Sequence, residues 1–298
     1  MSAAEPPQGA NSAPPGGSEA VKPRAWGKHT SAAEPRPLAD MPRDVRRAIR
    51  VLLADIDDTL TTDGKLTADA YRALERLHAA GMIVVPVTGR PAGWCDHIAR
   101  MWPVDAVVGE NGAFYMRFDA TRRNLVRRFL TADGERERMR ARLAAIGARI
   151  VREVPGSALA SDQHYRETDL AIDYCEDVPP LAPADVDRIV ALMHAEGLTA
   201  KVSSIHVNGW FGAYDKLATT RLLMREVFAL DLDDARNAFA FAGDSPNDAP
   251  MFAFFPNAVG VANVRRFLDR IATPPAWITA QEAGAGFAEL ADALLAAR

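Results

Sequence analysis

Val51-Leu52-Leu53-Ala54-Asp55-Ile56-Asp57-Asp58-Thr59-Leu60 is an apolar run that stops abruptly at acids. A buried strand delivers carboxylates to the rim of a sheet in this way, and open parallel sheets bind ligands outside the carboxyl ends of their strands. Asp55 and Asp57 lie two apart, so in extended backbone both side chains leave on one face. The same residues would also serve a strand followed by an Asp-rich turn. The distinction rests on whether distant segments supply these acids with partners.

Downstream, strands and helices alternate. Thr67 to Ala80 reads as a helix with Thr67 as N-cap and Gly81 as its stop. Met82-Ile83-Val84-Val85-Pro86-Val87 is a second strand ending at Thr88-Gly89-Arg90, and Pro91 suits the first turn of a helix running to about Trp102. Asp105 to Gly109 is a third strand leading into Glu110-Asn111-Gly112. This order means βαβ units and a parallel sheet. The pattern returns with a helix over Asp215 to Phe228 and a strand over Ala238 to Ala242 that ends at Gly243-Asp244-Ser245-Pro246-Asn247-Asp248. Short strands at 258–261 and 277–279 and a helix from Phe287 to Ala297 complete it.

Between these halves the character shifts. Strands are expected at 113–118, 125–130, 149–154 and 169–174, a strand pair or long strand at 199–207, and helices at 135–146 and 183–196. The expected fold is therefore α/β: a Rossmann-like parallel sheet core with helices on both faces, over 46–111 and 210–298. An inserted α+β cap occupies roughly 112–209. Residues 1 to about 45, rich in Pro, Ala, Gly and Ser, read as a disordered tail with little apolar surface to offset the entropy of ordering.

Composition narrows the function. Hydrophobic residues make up 48% of the 298, enough for a sizeable core, and the net charge of -4 argues against a nucleic-acid binder. No apolar run is long enough to span a bilayer. Cys95 and Cys175, far apart, give no disulfide framework and suit a reducing, cytoplasmic setting.

In a parallel sheet, Asp55, Asp57, Thr88, Asp244 and Asp248 would meet on one rim, with Lys216 opening a helix nearby. Carboxylates gathered there would repel unless a cation lay among them. Hard oxygen ligands with no His or Cys at hand point to Mg2+, and a phosphate would fit between the metal and Lys216.

In order, Asp55-Ile56-Asp57-Asp58-Thr59-Leu60, Thr88-Gly89-Arg90, Lys216 and Gly243-Asp244-Ser245-Pro246-Asn247-Asp248 resemble the four motifs of the haloacid dehalogenase-like hydrolase superfamily, over the chain from about Arg50 to its end. The insert between the Thr and Lys motifs resembles the type-two cap of the Cof-type and sucrose-phosphatase-like branch. Glu110-Asn111-Gly112-Ala113 is similar to that branch's lead into the cap, and Gly284-Ala285-Gly286-Phe287 to its closing loop. Asp58 departs from the pattern, which usually has Gly there.

The resemblance implies a magnesium-dependent phosphatase for a small phosphorylated metabolite such as a sugar phosphate. Asp55 would be the nucleophile that forms an aspartyl-phosphate, and Asp57 the acid and then the base. The Asp55 carboxylate, the Asp57 carbonyl and the Asp244 carboxylate would hold the metal, with Asp248 orienting a metal-bound water or Lys216. Thr88, the Gly89 backbone, Asn247 and Lys216 would hold phosphoryl oxygens. In the cap, Arg166, Ser204 and His206 are candidates for substrate contact, with His164 and Asn208 as further polar neighbours. Ser204, His206 and Asn208 alternate, so they would share one face of a strand, and a solvent-facing strand surface is the favoured reading of that pattern. Two alternatives share the architecture: a phosphomutase, whose fourth motif differs from Gly243-Asp244-Ser245-Pro246-Asn247-Asp248, and a non-catalytic binding or regulatory protein. A dehalogenase needs one acid and no metal, which Asp57 and Asp244 oppose.

Overall fold

The computed structural model describes residues 34–298. Its centre is a six-stranded sheet of parallel pairs, in the order Arg36–Pro37, Trp277–Ile278, Ala258–Gly260, Phe239–Gly243, Val51–Ala54, Ile83–Pro86. From Val51–Ala54 the chain winds outward through Ile83–Pro86. It returns to Phe239–Gly243 on the other side and winds away in the opposite direction. Val51–Ala54 and Phe239–Gly243 therefore flank the point where the strand order reverses, and the crevice outside such strand ends is where open α/β sheets bind ligands.

The alternation of side chains explains why helices cover both faces. Leu52, Ala54, Val84 and Ala240 pack with Leu74, Leu77, Phe287 and Leu290 on one side. Val51, Leu53, Val85, Phe239 and Phe241 pack with Leu223, Met224, Met251 and Phe252 on the other. The helix Ala68–Ala79 starts where its cap predicts, with the Thr67 hydroxyl accepting from the Ala70 N–H.

Three segments differ from the sequence expectation. Of the tail expected over 1–45, residues 1–33 lie outside the described residues. From Arg36 onward the chain is built into the core, because Leu38 and Met41 are buried and the Arg36 guanidinium lies 3.7 Å over the Trp277 ring. The expected strand at 149–154 is the last turns of one helix, Asp133–Glu153, in which Leu143, Ile146 and Ile150 fall on one face. The strands Phe114–Asp119 and Asn124–Phe129, expected in the insert, form a hairpin on Val107–Gly109, which a parallel bridge from Val87 to Val108 joins to the central sheet. Phe114 and Met116 bury in the core rather than in the cap.

The insert proper is a four-stranded sheet in the order Thr199–Val202, His206–Trp210, Asp169–Asp173, Ala158–Leu159, with antiparallel pairing. Leu170, Ile172 and Val207 bury against the helices Asp133–Glu153 and Pro183–Ala195. Period-two alternation then turns Asp169, Asp173, His206 and Asn208 to the opposite face. Among the described residues no helix is long and apolar enough to cross a membrane.

Candidate active site

Backbone pairing sets the acids. The Asp55 N–H donates to the Ala242 carbonyl at 2.9 Å, which fixes the end of Val51–Ala54 beside the end of Phe239–Gly243. Asp244 follows one strand and Asp55 the other. Asp248 turns back toward them from the short helix after Pro246, where it forms a reciprocal capping box with Ser245. Gly243 makes room for this turn, because a Cβ there would lie 2.4 Å from Asp248 Oδ2. The carboxylates of Asp55, Asp244 and Asp248 each offer an oxygen, all within 4.8 Å of one another, and all three residues are buried.

Lys216 completes this cluster. Its Nζ donates to Asp55 Oδ1 and to Asp248 Oδ1, each at 2.8 Å. It opens the helix Lys216–Phe228, whose N-cap Asp215 accepts from the Ala218 N–H. Glu110-Asn111-Gly112 seats that helix. Gly112 has φ +106°, and a Cβ there would lie 2.1 Å from the Asp215 carbonyl oxygen, so only glycine permits the approach. The Thr219 hydroxyl then donates to the Gly112 carbonyl.

The electrostatics follow from burial. Burial pushes the Asp55 carboxyl up to about 7, with Lys216 pulling it down and Asp248 and Asp57 adding to the rise. Burial, then Asp248 and Asp55, holds the Asp244 carboxyl well above the usual range. For the Lys216 ammonium, burial alone would act downward, but Asp248 and Asp55 outweigh it and raise it above its ordinary value. Lys216 thus neutralises part of the cluster, and the remaining carboxylates suit a hard divalent cation.

Thr88 is fully buried, and its hydroxyl accepts from the Arg90 N–H at 3.0 Å. Gly89, Asn247 and Ser245 line the cleft between core and cap together with Asp55 and Asp57. The Asp57 carboxylate points away from the other acids toward Arg90. Asp58 has φ +55°, the left-handed region that glycine occupies freely and aspartate tolerates. Burial raises its carboxyl, and a hydrogen bond from Ser204 of the cap works against that rise.

The cap candidates reach the site in different ways. Arg166 is buried and fully engaged, with Asp162, Asp169 and the Gly89 carbonyl all accepting from it, so it braces the cap against the Thr88 loop. His206 and Asn208 are buried over the cleft rather than facing solvent. Ser204 sits in the turn before His206–Trp210, not on the strand itself. His164 lies outside this cleft, against Tyr165. Sequence reasoning missed the carboxylates that meet these groups, Asp162, Asp169 and Glu176. Arg90, quoted only as part of a motif, pairs with Asp162 and Glu176, while Arg166 holds Asp162 and Asp169.

Residues 52–134 match the family model of haloacid dehalogenase-like hydrolases. No curated protein sequence matches this chain. Among solved structures, the chain is similar to Thermoplasma acidophilum 0175, with a TM-score of 0.61 at 19% identity over 83% of this chain and 98% of that one. It is also similar to the sucrose-phosphatase of Synechocystis, solved with sucrose and phosphate, with a TM-score of 0.56 at 15% identity over 83% of this chain and 98% of that one. A Bacteroides thetaiotaomicron member of the haloalkanoate superfamily phosphatases aligns with a TM-score of 0.54 at 20% identity, over 86% of this chain and 97% of that one. Identities this low speak for the fold alone.

Proposed function

We propose that this hydrolase is a magnesium-dependent phosphatase of small phosphorylated metabolites, sugar phosphates above all, acting in the cytoplasm. The observation that carries the reading is the meeting of Asp55, Asp244 and Asp248 within ligand distance of one another, with Lys216 bonded to two of them. The donor set fits Mg2+, since the cluster contains only carboxylate oxygens and two of its acids are raised by burial and mutual repulsion. Asp55, Asp244 and the Asp57 carbonyl would hold the ion, and Asp248 would orient its water or Lys216. A bound divalent cation supplies charge to a transferring phosphoryl group.

The chain's own residues would do the rest. An Asp55 carboxylate oxygen attacks phosphorus, the bond from phosphorus to the leaving oxygen breaks, and Asp57 gives that oxygen its proton. Water then attacks the aspartyl-phosphate while Asp57 takes the proton back, and inorganic phosphate leaves with Asp55 restored. Lys216, the Thr88 hydroxyl, the Gly89 backbone and Asn247 hold phosphoryl oxygens as charge gathers on them. The cap covers the reaction, with Arg166, Ser204 and His206 near the substrate, and excludes bulk water.

The test is release of inorganic phosphate from a panel of phosphorylated metabolites, with magnesium and with chelator. Release is expected only with the metal. Asp55→Asn is expected to lose at least about 1,000-fold in kcat while keeping its fold. An Asp55→Asn protein that turns over normally ends the assignment.

A further inference from the structure

One buried carboxylate has no part in the reaction above, yet it joins the cap to the loop that begins at Thr88. Glu110 is fully buried. Its Oε1 accepts from the Ala92 N–H at 2.9 Å and the Glu167 N–H at 2.8 Å. Its Oε2 accepts from the Thr168 N–H at 2.6 Å and from the Thr168 hydroxyl. A carboxylate can take all of these, since each oxygen has two lone pairs.

The donors come from both sides of the cleft. Ala92 opens the helix Ala92–Met101, just after Thr88-Gly89-Arg90. Glu167 and Thr168 lead into the cap strand Asp169–Asp173. The backbone ties back to the same loop, with the Glu110 N–H donating to the Arg90 carbonyl at 3.1 Å and the Asn111 N–H to the Thr88 carbonyl at 3.0 Å. Two further contacts lie alongside. Arg166 donates to the Gly89 carbonyl at 2.8 Å, and a Cβ on Gly93 would lie 2.9 Å from Tyr165 Cβ. The cap segment 165–168 therefore sits directly on the loop that presents Thr88, Gly89 and Arg90.

Glu110 holds this place in a costly conformation. Its φ is +42°, in the left-handed region that a residue with a Cβ enters rarely, and Asn111 and Gly112 follow at +55° and +106°. Such a backbone persists only where its surroundings over-determine it. A helix cap would need only the bond to Ala92. The bonds to Glu167 and Thr168 go beyond that role.

We infer that Glu110 is a positioning residue that fixes the closed cap in register with the loop carrying Thr88, Gly89 and Arg90, so that closure and phosphoryl binding are set together. The inference rests on the phosphatase reading and deepens it. The bonds of the Glu110 carboxylate go to neither the acid cluster nor Lys216, so it acts through the geometry of the loop, where small misplacements are costly in rate. Glutamine keeps its shape but turns an N–H toward donors, so the clamp cannot form whole.

The experiment compares wild type with Glu110→Gln, Thr168→Val and Thr168→Ser, by hydrolysis of p-nitrophenyl phosphate with magnesium and by hydrogen exchange. Glu110→Gln is expected to lose about 10- to 100-fold in kcat with KM changed by less than about threefold. Calorimetric magnesium affinity, set by Asp55, Asp244 and Asp248, should stay as in wild type. Exchange should quicken together in 88–93 and 165–169 and stay slow in Val51–Ala54 and Phe239–Gly243. Thr168→Val, which removes only the hydroxyl bond, should lose several-fold in kcat, and Thr168→Ser should recover it. This pair carries the test if Glu110→Gln does not fold. Wild-type kcat in the folded variant, or magnesium affinity falling in step with kcat, would overturn the inference and leave the phosphatase reading intact. A wild-type protein that releases no phosphate from p-nitrophenyl phosphate or any metabolite would overturn the phosphatase reading and this inference with it.

Discussion

Arg90 grips Asp57 of the core and Glu176 of the cap with one guanidinium. Its Nε lies 2.9 and 3.0 Å from the Asp57 carboxylate oxygens, and its Nη2 lies 2.8 Å from Glu176. The side chain is 4% exposed, and its plane lies over Trp94, 4.4 Å from the ring centroid. Burial alone would act downward on Arg90, but Asp57 and Glu176 outweigh it and raise it further. The residue assigned to proton transfer is therefore oriented by the same group that fastens the cap.

This arrangement predicts the behaviour of Arg90 variants. Lysine keeps the charge but has no planar fork with which to span Asp57, Asp162 and Glu176 at once. Arg90→Lys is expected to lower kcat by about 10- to 100-fold with a smaller change in KM, since Asp57 loses its orientation. Arg90→Ala leaves buried carboxylates facing one another and is expected to cost about 3–5 kcal/mol of stability. Steady-state kinetics and urea unfolding measure the two effects. Wild-type kcat in Arg90→Lys would show that Asp57 needs no such positioning.

Some of this was legible in the sequence, and the reasons are local. Val51 to Leu60 announces a strand that delivers acids, because apolar residues and carboxylates follow each other without a break. Gly243 to Asp248 does the same. The four-carboxylate cage around Arg90 and Arg166 was not legible. Asp162, Asp169 and Glu176 sit in separate segments with no shared period, and only the pairing of Asp169–Asp173 with His206–Trp210 brings their surroundings together. Ile150 and Val151 suggest a strand by β propensity, yet the helix face shared with Leu143 and Ile146 prevails. Leu38 and Met41 are two apolar residues in a proline-rich stretch, and their burial depends on partners far along the chain.

Glu176 gives a pH dependence with a definite sign. Burial would raise its carboxyl, but hydrogen bonds from His206 and Arg90 outweigh it and bring it down to about 2 from 4.5. A depressed carboxylate contributes stability that is present above the unfolded value and lost as pH falls from about 4.5 through about 2. The contribution is about 2–3 kcal/mol at neutral pH. Urea unfolding of wild type and Glu176→Gln should diverge above pH 4.5 and converge toward pH 2. Parallel curves across that range would remove Glu176 from the cap's fastening.

Metal binding should report on the acid cluster without any turnover. A ligand bound only by the folded state raises stability with the logarithm of its concentration over its dissociation constant, by about 2.7 kcal/mol at a hundredfold excess. Magnesium is therefore expected to raise the thermal midpoint of the chelator-treated protein. Asp244→Asn should lose most of that rise, because it removes one of the three carboxylates that converge with Lys216. Calorimetric titration of both proteins measures the affinity directly. An undiminished rise in Asp244→Asn would place the ion elsewhere.

Asp58 offers a test in which stability and chemistry separate. Its φ of +55° is a conformation that residues with a Cβ adopt at a cost, and burial raises its carboxyl besides. Its backbone carbonyl accepts from Asn263 Nδ2 at 2.9 Å, a bond that any residue at this position retains. Asp58→Gly should therefore keep that bond, relieve the backbone and remove a carboxylate beside Asp57, leaving the protein as stable as wild type or up to about 1 kcal/mol more so. Asp58→Val, β-branched in a left-handed position, should destabilise by at least about 1–2 kcal/mol. Phosphate release by Asp58→Gly should stay within a few-fold of wild type, since this carboxylate has no assigned step. A collapse of kcat in a well-folded Asp58→Gly protein would move Asp58 into the reaction itself.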